Sequence, residues 1–328
     1  MNEVWILAET KGGEVAPVSF ELLAWARSLG EAKEVSITAV LAGPADDPEE
    51  LCYRGADTVV HGPDGALGGH SARALAAWLA SLLEEKRPTV FLAAATATGR
   101  TVLPYLAARE GLGLTADCTE LSLDPDTGVL LQTRPAAGGN ITATIRTARG
   151  RPQMATVRPH SRRPLEREPS RPVAVETRAF APPEAANEPV LLEERPFESS
   201  RGIADARFVV AGGRGFRKKE GFALLHELAL SLGAEVGASR EAVDRGWTEY
   251  PRQVGLSGRT ISPDLYIAFG ISGAIQHLAG MQTAGTVVSV NTDPEAPIAA
   301  MSDLAIRADL FEFIPALAAR LRDYRPAD

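Results

Sequence analysis

The stretch at residues 264–291, DLYIAFGISGAIQHLAGMQTAGTVVSVN, leaves little freedom in how the chain around it folds. Residues 265–269 (LYIAF) are apolar without alternation, the pattern of a strand buried on both faces. Gly270 and Gly273 bracket a sharp turn around Ser272, and Ser272 or Gly273 is placed to cap a short helix over 274–279 that stops at Gly280. Residues 286–290 (TVVSV) read as a second buried strand, with Asn291 just past its end. A strand, a helix and a parallel strand make a right-handed unit. Open parallel sheets bind their ligands beyond the carboxyl ends of the strands. Ser272, His277 and Asn291 all fall on that edge. Each alone also reads as ordinary structure: a turn, a core histidine, a turn asparagine.

The rest of the chain bounds the function by exclusion. Its 328 residues suffice for two domains with full cores. A net charge of −8 argues against nucleic-acid binding, because a phosphate backbone needs a basic face. Residues 151–178 are rich in arginine, but interleaved prolines make them a solvated strand and connector. Cys52 and Cys118 are the only cysteines and form no CxxC pair, so neither a disulfide framework nor a thiolate metal site is expected; each reads as a small apolar filler. The start, MNEVWIL, has no basic n-region, and no apolar run approaches the ~18 residues of a membrane span. A cytoplasmic protein without membrane insertion is expected.

Residues 1–190 read as one α/β domain. Strand patterns at 4–8, 35–41, 58–60 and 89–94 alternate with helical patterns at 18–28, 48–55 and 71–85, which implies a parallel sheet. The loop at 95–100 (ATATGR) stands between a strand and a helix predicted over 101–110. It lacks the Lys-Ser/Thr of a Walker loop, so a plain turn with a threonine cap is the favoured reading. Residues 121–133 predict a hairpin around DPDTG, and 140–146 and 153–158 add strands of alternating pattern that extend the sheet.

Residues 178–205 are rich in Pro, Ala and Glu and mark a domain boundary, with the linker at 191–205 and a second, doubly wound parallel domain over 206–328. Five strands there each deliver a polar or small residue to one rim: Arg214 in GGRG, Ser239 and Arg240, Ser272 and Gly273, Asn291, and Asp309. Five such residues converging on one edge look like a ligand cradle. Glycine turns and helix N-termini near Ser272 and Arg214 suit phosphates, and the arginines suit a flat charged ring system. A surface ion pair is the competing reading for each arginine. GGRG is not G-x-G-x-x-G, so the usual dinucleotide fingerprint is absent. The five histidines, at 61, 70, 160, 226 and 277, are scattered and predict no metal site.

LYIAFGISGAIQHLAG followed by VVSVN resembles the signature of the electron transfer flavoprotein alpha subunit, and the similarity extends through TATGRTVLPYLAAR in the first half. The resemblance implies a first domain that carries no nucleotide and one FAD in the second. Arg214, Ser239, Arg240, Gln253, Val254, Gly255, Leu256 and Ser257 match family positions that meet the cofactor. So do Ser272, Gly273, Ala274, Ile275, Gln276, His277, Asn291, Asp309 and Leu310. In the family the loop QVGLSG commonly reads QVGQTG. Ser257 keeps a hydroxyl able to hydrogen-bond flavin N5, whereas Leu256 gives up an amide contact, so the flavin potential is expected to differ.

The resemblance further implies an electron carrier rather than an enzyme. Its small beta subunit would carry an AMP, its donors would be acyl-CoA dehydrogenases and its acceptor a membrane quinone oxidoreductase. On this reading His277 donates toward the flavin N1 and C2 carbonyl, where negative charge collects on reduction, and Arg240 lies over the ring. Two alternatives stay open: a bifurcating relative with a second FAD in the beta subunit, and a nucleotide-cofactor oxidoreductase using His277 as base.

Overall fold

A computed structural model of the chain describes residues 2–30, 34–63, 72–136, 141–147, 150–179 and 202–323. The expected linker at 191–205 lies largely outside the described residues, which resume at Gly202. The chain falls into two compact units on either side of it.

The first unit has twelve strands among its described residues: β1 (Asn2–Ala8), β2 (Thr10–Lys11), β3 (Glu14–Val15), β4 (Val35–Ala42), β5 (Thr58–Gly62), β6 (Val90–Ala94), β7 (Leu114–Cys118), β8 (Glu120–Leu123), β9 (Leu130–Ala136), β10 (Ile141–Arg146), β11 (Gln153–Val157) and β12 (Val175–Thr177). Its helices are α1 (Pro17–Leu29), α2 (Glu50–Tyr53), α3 (Ala72–Lys86) and α4 (Ala97–Glu110). Seven strands form a wholly parallel sheet in the order β12-β5-β4-β1-β6-β11-β7. Strand alternation feeds two cores. Val4, Ile6 and Ala8 of β1 meet α1, α2 and the hairpin strands on one face, while Trp5 and Leu7 meet α3 and α4 on the other.

Three expectations need correction here. The antiparallel strands β8, β9 and β10 build a separate three-stranded sheet instead of extending the parallel one. Strand β11 is not alternating: all five residues are buried, and it sits between β6 and β7. Its polar members survive burial because distant groups satisfy them. Gln153 accepts from the Leu130 N–H at 2.9 Å and donates to the Thr147 carbonyl at 2.9 Å, and the Thr156 hydroxyl accepts from the Asp117 N–H at 2.9 Å. Finally, α4 starts at Ala97, four residues earlier than its pattern predicts.

The threonine cap is present, on Thr96, whose hydroxyl accepts from the Gly99 N–H at 3.1 Å and donates to Glu9 Oε1 at 2.6 Å. The first turn of α4 is thus turned toward a carboxylate of its own chain, in keeping with a plain strand-to-helix turn. Burial raises the Glu9 pKa, with the Thr96 hydrogen bond opposing it. Both cysteines are buried and free, and burial pushes the Cys118 thiol up to about 12.

The second unit holds β13 (Phe208–Gly212), β14 (Glu235–Ala238), β15 (Leu265–Phe269), β16 (Thr286–Asn291) and β17 (Leu304–Arg307), with α5 (Phe222–Leu232), α6 (Arg240–Asp244), α7 (Ile275–Leu278) and α8 (Leu310–Asp323). The strands are parallel in the order β14-β13-β15-β16-β17. Val210, Ile267 and Phe269 pack against α5 and α8 on one face. Val209, Tyr266 and Ala268 pack on the other against Val254, Ile261, Met281 and Ile298, which stand on loops and short turns. Among the described residues no helix is long and apolar enough to cross a membrane.

A side chain at Gly99 would place its Cβ 1.9 Å from the Ala94 carbonyl oxygen. Gly99→Ala is therefore expected to destabilise the first unit by about 1–3 kcal/mol, read as a lower urea midpoint. An unchanged midpoint would contradict this packing.

Candidate functional site

Connections leave β13 and β15 in opposite directions: β13 leads out to the edge strand β14, and β15 leads the other way to β16 and β17. The loops part over that gap at the carboxyl edge of the sheet. A cleft of about 630 Å³ opens there, within the ~300–1,000 Å³ usual for ligand and cofactor sites.

Each wall comes from one loop. The loop after β13 contributes Arg214 and Gly215, and the start of α6 contributes Ser239 and Arg240 with Glu241 and Asp244. Gln253, Val254, Gly255, Leu256 and Ser257 form one continuous wall. Hydrogen-bonded to that wall through the Leu256 N–H and the Gln276 carbonyl at 2.8 Å are Gln276 and His277 of α7, preceded by Gly270, Ile271, Ser272, Gly273 and Ala274. Asn291, Asp293 and Ala296 close the side beyond β16.

Three predicted residues are not brought to the cleft. Ile275 is 75% exposed. Asp309 and Leu310 follow the edge strand β17 and do not line the cleft, although Leu310 backs its floor: a Cβ on Gly270 would stand 2.9 Å from the Leu310 Cδ2. Asp309 instead accepts from the Phe311 N–H at 2.9 Å at the start of α8, and Leu310 is buried in the helix-covered core. Other sequence readings also shift. Ala274, not Ser272 or Gly273, occupies the N-cap position of α7 and makes no side-chain cap. Asn291 is the last residue of β16 instead of lying beyond it. Arg214 opens a 3-10 turn, and the helix after it starts only at Phe222, so no long helix points its N-terminus at the cleft from that side. Sequence reasoning missed Glu241, Asp244 and Asp293, which look like ordinary surface acids.

Backbone contact fixes the floor of the cleft. The Gly213 N–H donates to the Phe269 carbonyl at 2.9 Å and the Gly215 N–H to the Gly270 carbonyl at 3.0 Å. Gly270 has φ +60°, and a Cβ on it would stand 2.7 Å from the Gly215 Cα. Only glycine tolerates both the angle and the approach. Asn291 then ties two loops: its Nδ2 donates to the Ile271 carbonyl at 3.0 Å, and its Oδ1 accepts from the Asp293 N–H at 3.1 Å.

The polar lining divides into an exposed, charged mouth and a buried interior. Arg214 lies 3.5 Å from Glu241 and Arg240 lies 3.3 Å from Asp244; both arginine side chains are more than 70% exposed. Such pairs contribute little to stability, so the guanidinium groups are open to exchange of partner. The buried Gln253 donates from Nε2 to Oγ of the exposed Ser257 at 3.0 Å, which leaves the serine proton for another acceptor. The Tyr250 hydroxyl donates to the Ser257 carbonyl at 2.6 Å and pins that loop.

His277 is the one buried histidine of the cleft wall. Its Nε2 shares a 2.8 Å hydrogen bond with the Tyr266 hydroxyl, while its Nδ1 makes no hydrogen bond of normal geometry, the ring's other polar contact being a weak one with the Val254 backbone. Burial pushes the imidazole down to about 4, with the Val254 backbone working weakly the other way. The ring is neutral at physiological pH. Below about 6.5 an unfolded chain takes up a proton that the folded chain refuses, so stability is lost as pH falls from about 6.5 toward 4. Replacing His277 with glutamine should remove that share of acid sensitivity, on the order of 3 kcal/mol at most. Urea unfolding at pH 7 and 4.5 checks this; equal pH sensitivity in both proteins would contradict the burial of a neutral ring.

Comparison with known proteins gives this arrangement a lineage. Residues 4–183 match the model of the electron transfer flavoprotein domain, and residues 202–282 that of the electron transfer flavoprotein FAD-binding domain. An electron transfer flavoprotein subunit alpha from Thermoanaerobacterium thermosaccharolyticum is 41% identical, with 96% of each chain covered. Its counterpart from Clostridium acetobutylicum is 40% identical over 97% of this chain and 96% of its own. Protein FixB of Bradyrhizobium diazoefficiens is 41% identical over 98% of this chain and 89% of its own. The chain therefore belongs to the electron transfer flavoprotein alpha-subunit family, electron carriers rather than catalytic enzymes, and its second unit is that family's FAD-binding domain.

Proposed function

We propose that this chain forms a heterodimer with a small, AMP-carrying beta subunit in the cytoplasm. In that complex it takes electrons from acyl-CoA and related dehydrogenases and delivers them to a membrane quinone oxidoreductase. The observation that carries the reading is the switch-point cleft with a buried, neutral histidine on its wall and one ring nitrogen left open. Two features of the cleft fit FAD. Its floor is glycine backbone, which lets a flat or phosphorylated group approach closely, and its buried unpaired polar atom calls for a partner.

Once bound, FAD supplies reversible one-electron chemistry. The chain's own residues do the rest. Arg214 and Arg240, held only by exposed ion pairs, are available to phosphate and ring charge at the mouth. Ser257, its oxygen already accepting from Gln253, has its proton to offer. His277 offers an uncharged polar nitrogen at depth, and glycines 215 and 270 keep the walls thin. Tyr250 and Ile275 stand 60% and 75% exposed beside the cleft wall, apolar surface that suits cover by a partner subunit.

Identity alone does not choose the redox partners, because relatives named alpha subunit and relatives named FixB match equally well. A second reading is thus a bifurcating assembly with another FAD in the beta subunit. Co-expression with the beta subunit and flavin quantitation separates the two. One FAD per heterodimer is expected; two would favour bifurcation, and a colourless protein would contradict the flavin reading itself. In the one-FAD form, His277→Ala should lower the first one-electron potential by on the order of 60–130 mV, the equivalent of one hydrogen bond to a charged group. An unmoved potential would remove His277 from the tuning role.

A further inference from the structure

The cleft wall contains a buried pair whose members belong to different layers of the fold. Tyr266 is on the central strand β15, wholly buried, with its side chain in the apolar core beneath the loops. His277 is on α7, eleven residues later and 6% exposed. Their one shared hydrogen bond, Oη to Nε2 at 2.8 Å, can run in either direction.

Counting donors and acceptors decides which. If Nε2 carried the proton and donated, the Tyr266 hydroxyl would be the acceptor, and its own proton would be left without a partner among Val209, Ala268, Met281 and other apolar side chains. Nδ1 would at the same time be a bare lone pair. Two polar groups would be stranded, at about 1–3 kcal/mol each. If Tyr266 donates, both its proton and the Nε2 lone pair are satisfied, and the ring proton moves to Nδ1. One polar group then remains open. It is a donor, and it belongs to the side chain that lines the cleft. Burial also holds the phenol far above its ordinary pKa and the imidazole below its own, so Tyr266 keeps the proton it donates and the ring stays neutral.

We infer that Tyr266 is a positioning residue: by donating to His277 Nε2 it fixes the imidazole as the Nδ1–H tautomer and so presents a hydrogen-bond donor to an acceptor atom of the ligand in the cleft. The identity of that ligand as FAD rests on the function proposed above; the direction of the bond does not. Tyr266 touches no cofactor itself. Its effect passes entirely through the ring it orients, the arrangement by which an outer partner sets a histidine's tautomer.

The test is nitrogen NMR of the heterodimer labelled with 15N-histidine, on the protein as purified, coloured or not, together with FAD titration of the FAD-stripped heterodimer. A single neutral Nδ1–H form of His277 is expected at pH 7, and Tyr266→Phe, which keeps the ring and removes only the hydroxyl, should mix the tautomers and weaken FAD binding about tenfold. A wild-type Nε2–H form would overturn the inference whether or not the phenylalanine variant folds. So would a Tyr266→Phe protein that keeps a pure Nδ1–H ring and the parent affinity. A protein that binds no FAD would defeat the functional reading, yet its His277 tautomer would still decide the Tyr266 claim.

Discussion

Close backbone contact between the loop after β13 and the loop after β15 governs the second unit. Glycines 213 and 215 on one side and Gly270 on the other meet through two N–H to carbonyl bonds, at separations that no side chain would permit. Because these strands are neighbours whose connections run opposite ways, the contact sits at the topological switch point. The contact carries two parts of the cleft: Arg214 lies within the first turn, and His277 follows on the short helix that the second turn launches.

That floor also explains why polar groups at the cleft fall into two sorts. Residues on the outer turns, Arg214, Arg240, Glu241 and Asp244, stay exposed and pair loosely, so they can trade one another for a ligand at small cost. Groups on the loop-covered face of the sheet are buried and must be matched within the fold. Gln253 is matched by Ser257 and Tyr266 by His277, and the matching leaves the Ser257 hydroxyl proton and the His277 Nδ1 to be used by something else. Of the two, the buried His277 is a dry, oriented group of the kind that sets a carrier's potential by hydrogen bonding, whereas Ser257 stands exposed at the rim.

Much of this was legible in the sequence wherever local pattern and tertiary role agree. The apolar runs at β13, β15 and β16 are buried on both faces and read as such, and the turns Gly270–Gly273 and QVGLSG announce a rim. What sequence could not disclose depends on partners far along the chain. QMATV at β11 carries glutamine and threonine into the middle of a sheet only because Leu130, Thr147 and Asp117 meet them there. Asp309 and Leu310 follow a strand just as the lining residues do, and only the fold shows that Asp309 caps the start of α8 while Leu310 turns into the core behind Gly215 and Gly270. Tyr266 was hidden for the opposite reason: in a run of apolar residues its hydroxyl gives no signal, and its partner is found only when α7 folds back over the sheet.

The central claim is that the switch-point cleft of the second unit is where the flavin resides. A crystal structure of the alpha–beta complex, purified with its bound colour, tests it most directly. The account predicts flavin density in contact with Arg240, Ser257 and His277, with Tyr266 behind the histidine. Flavin density elsewhere on the chain, or a cleft filled by protein side chains in the complex, would contradict it.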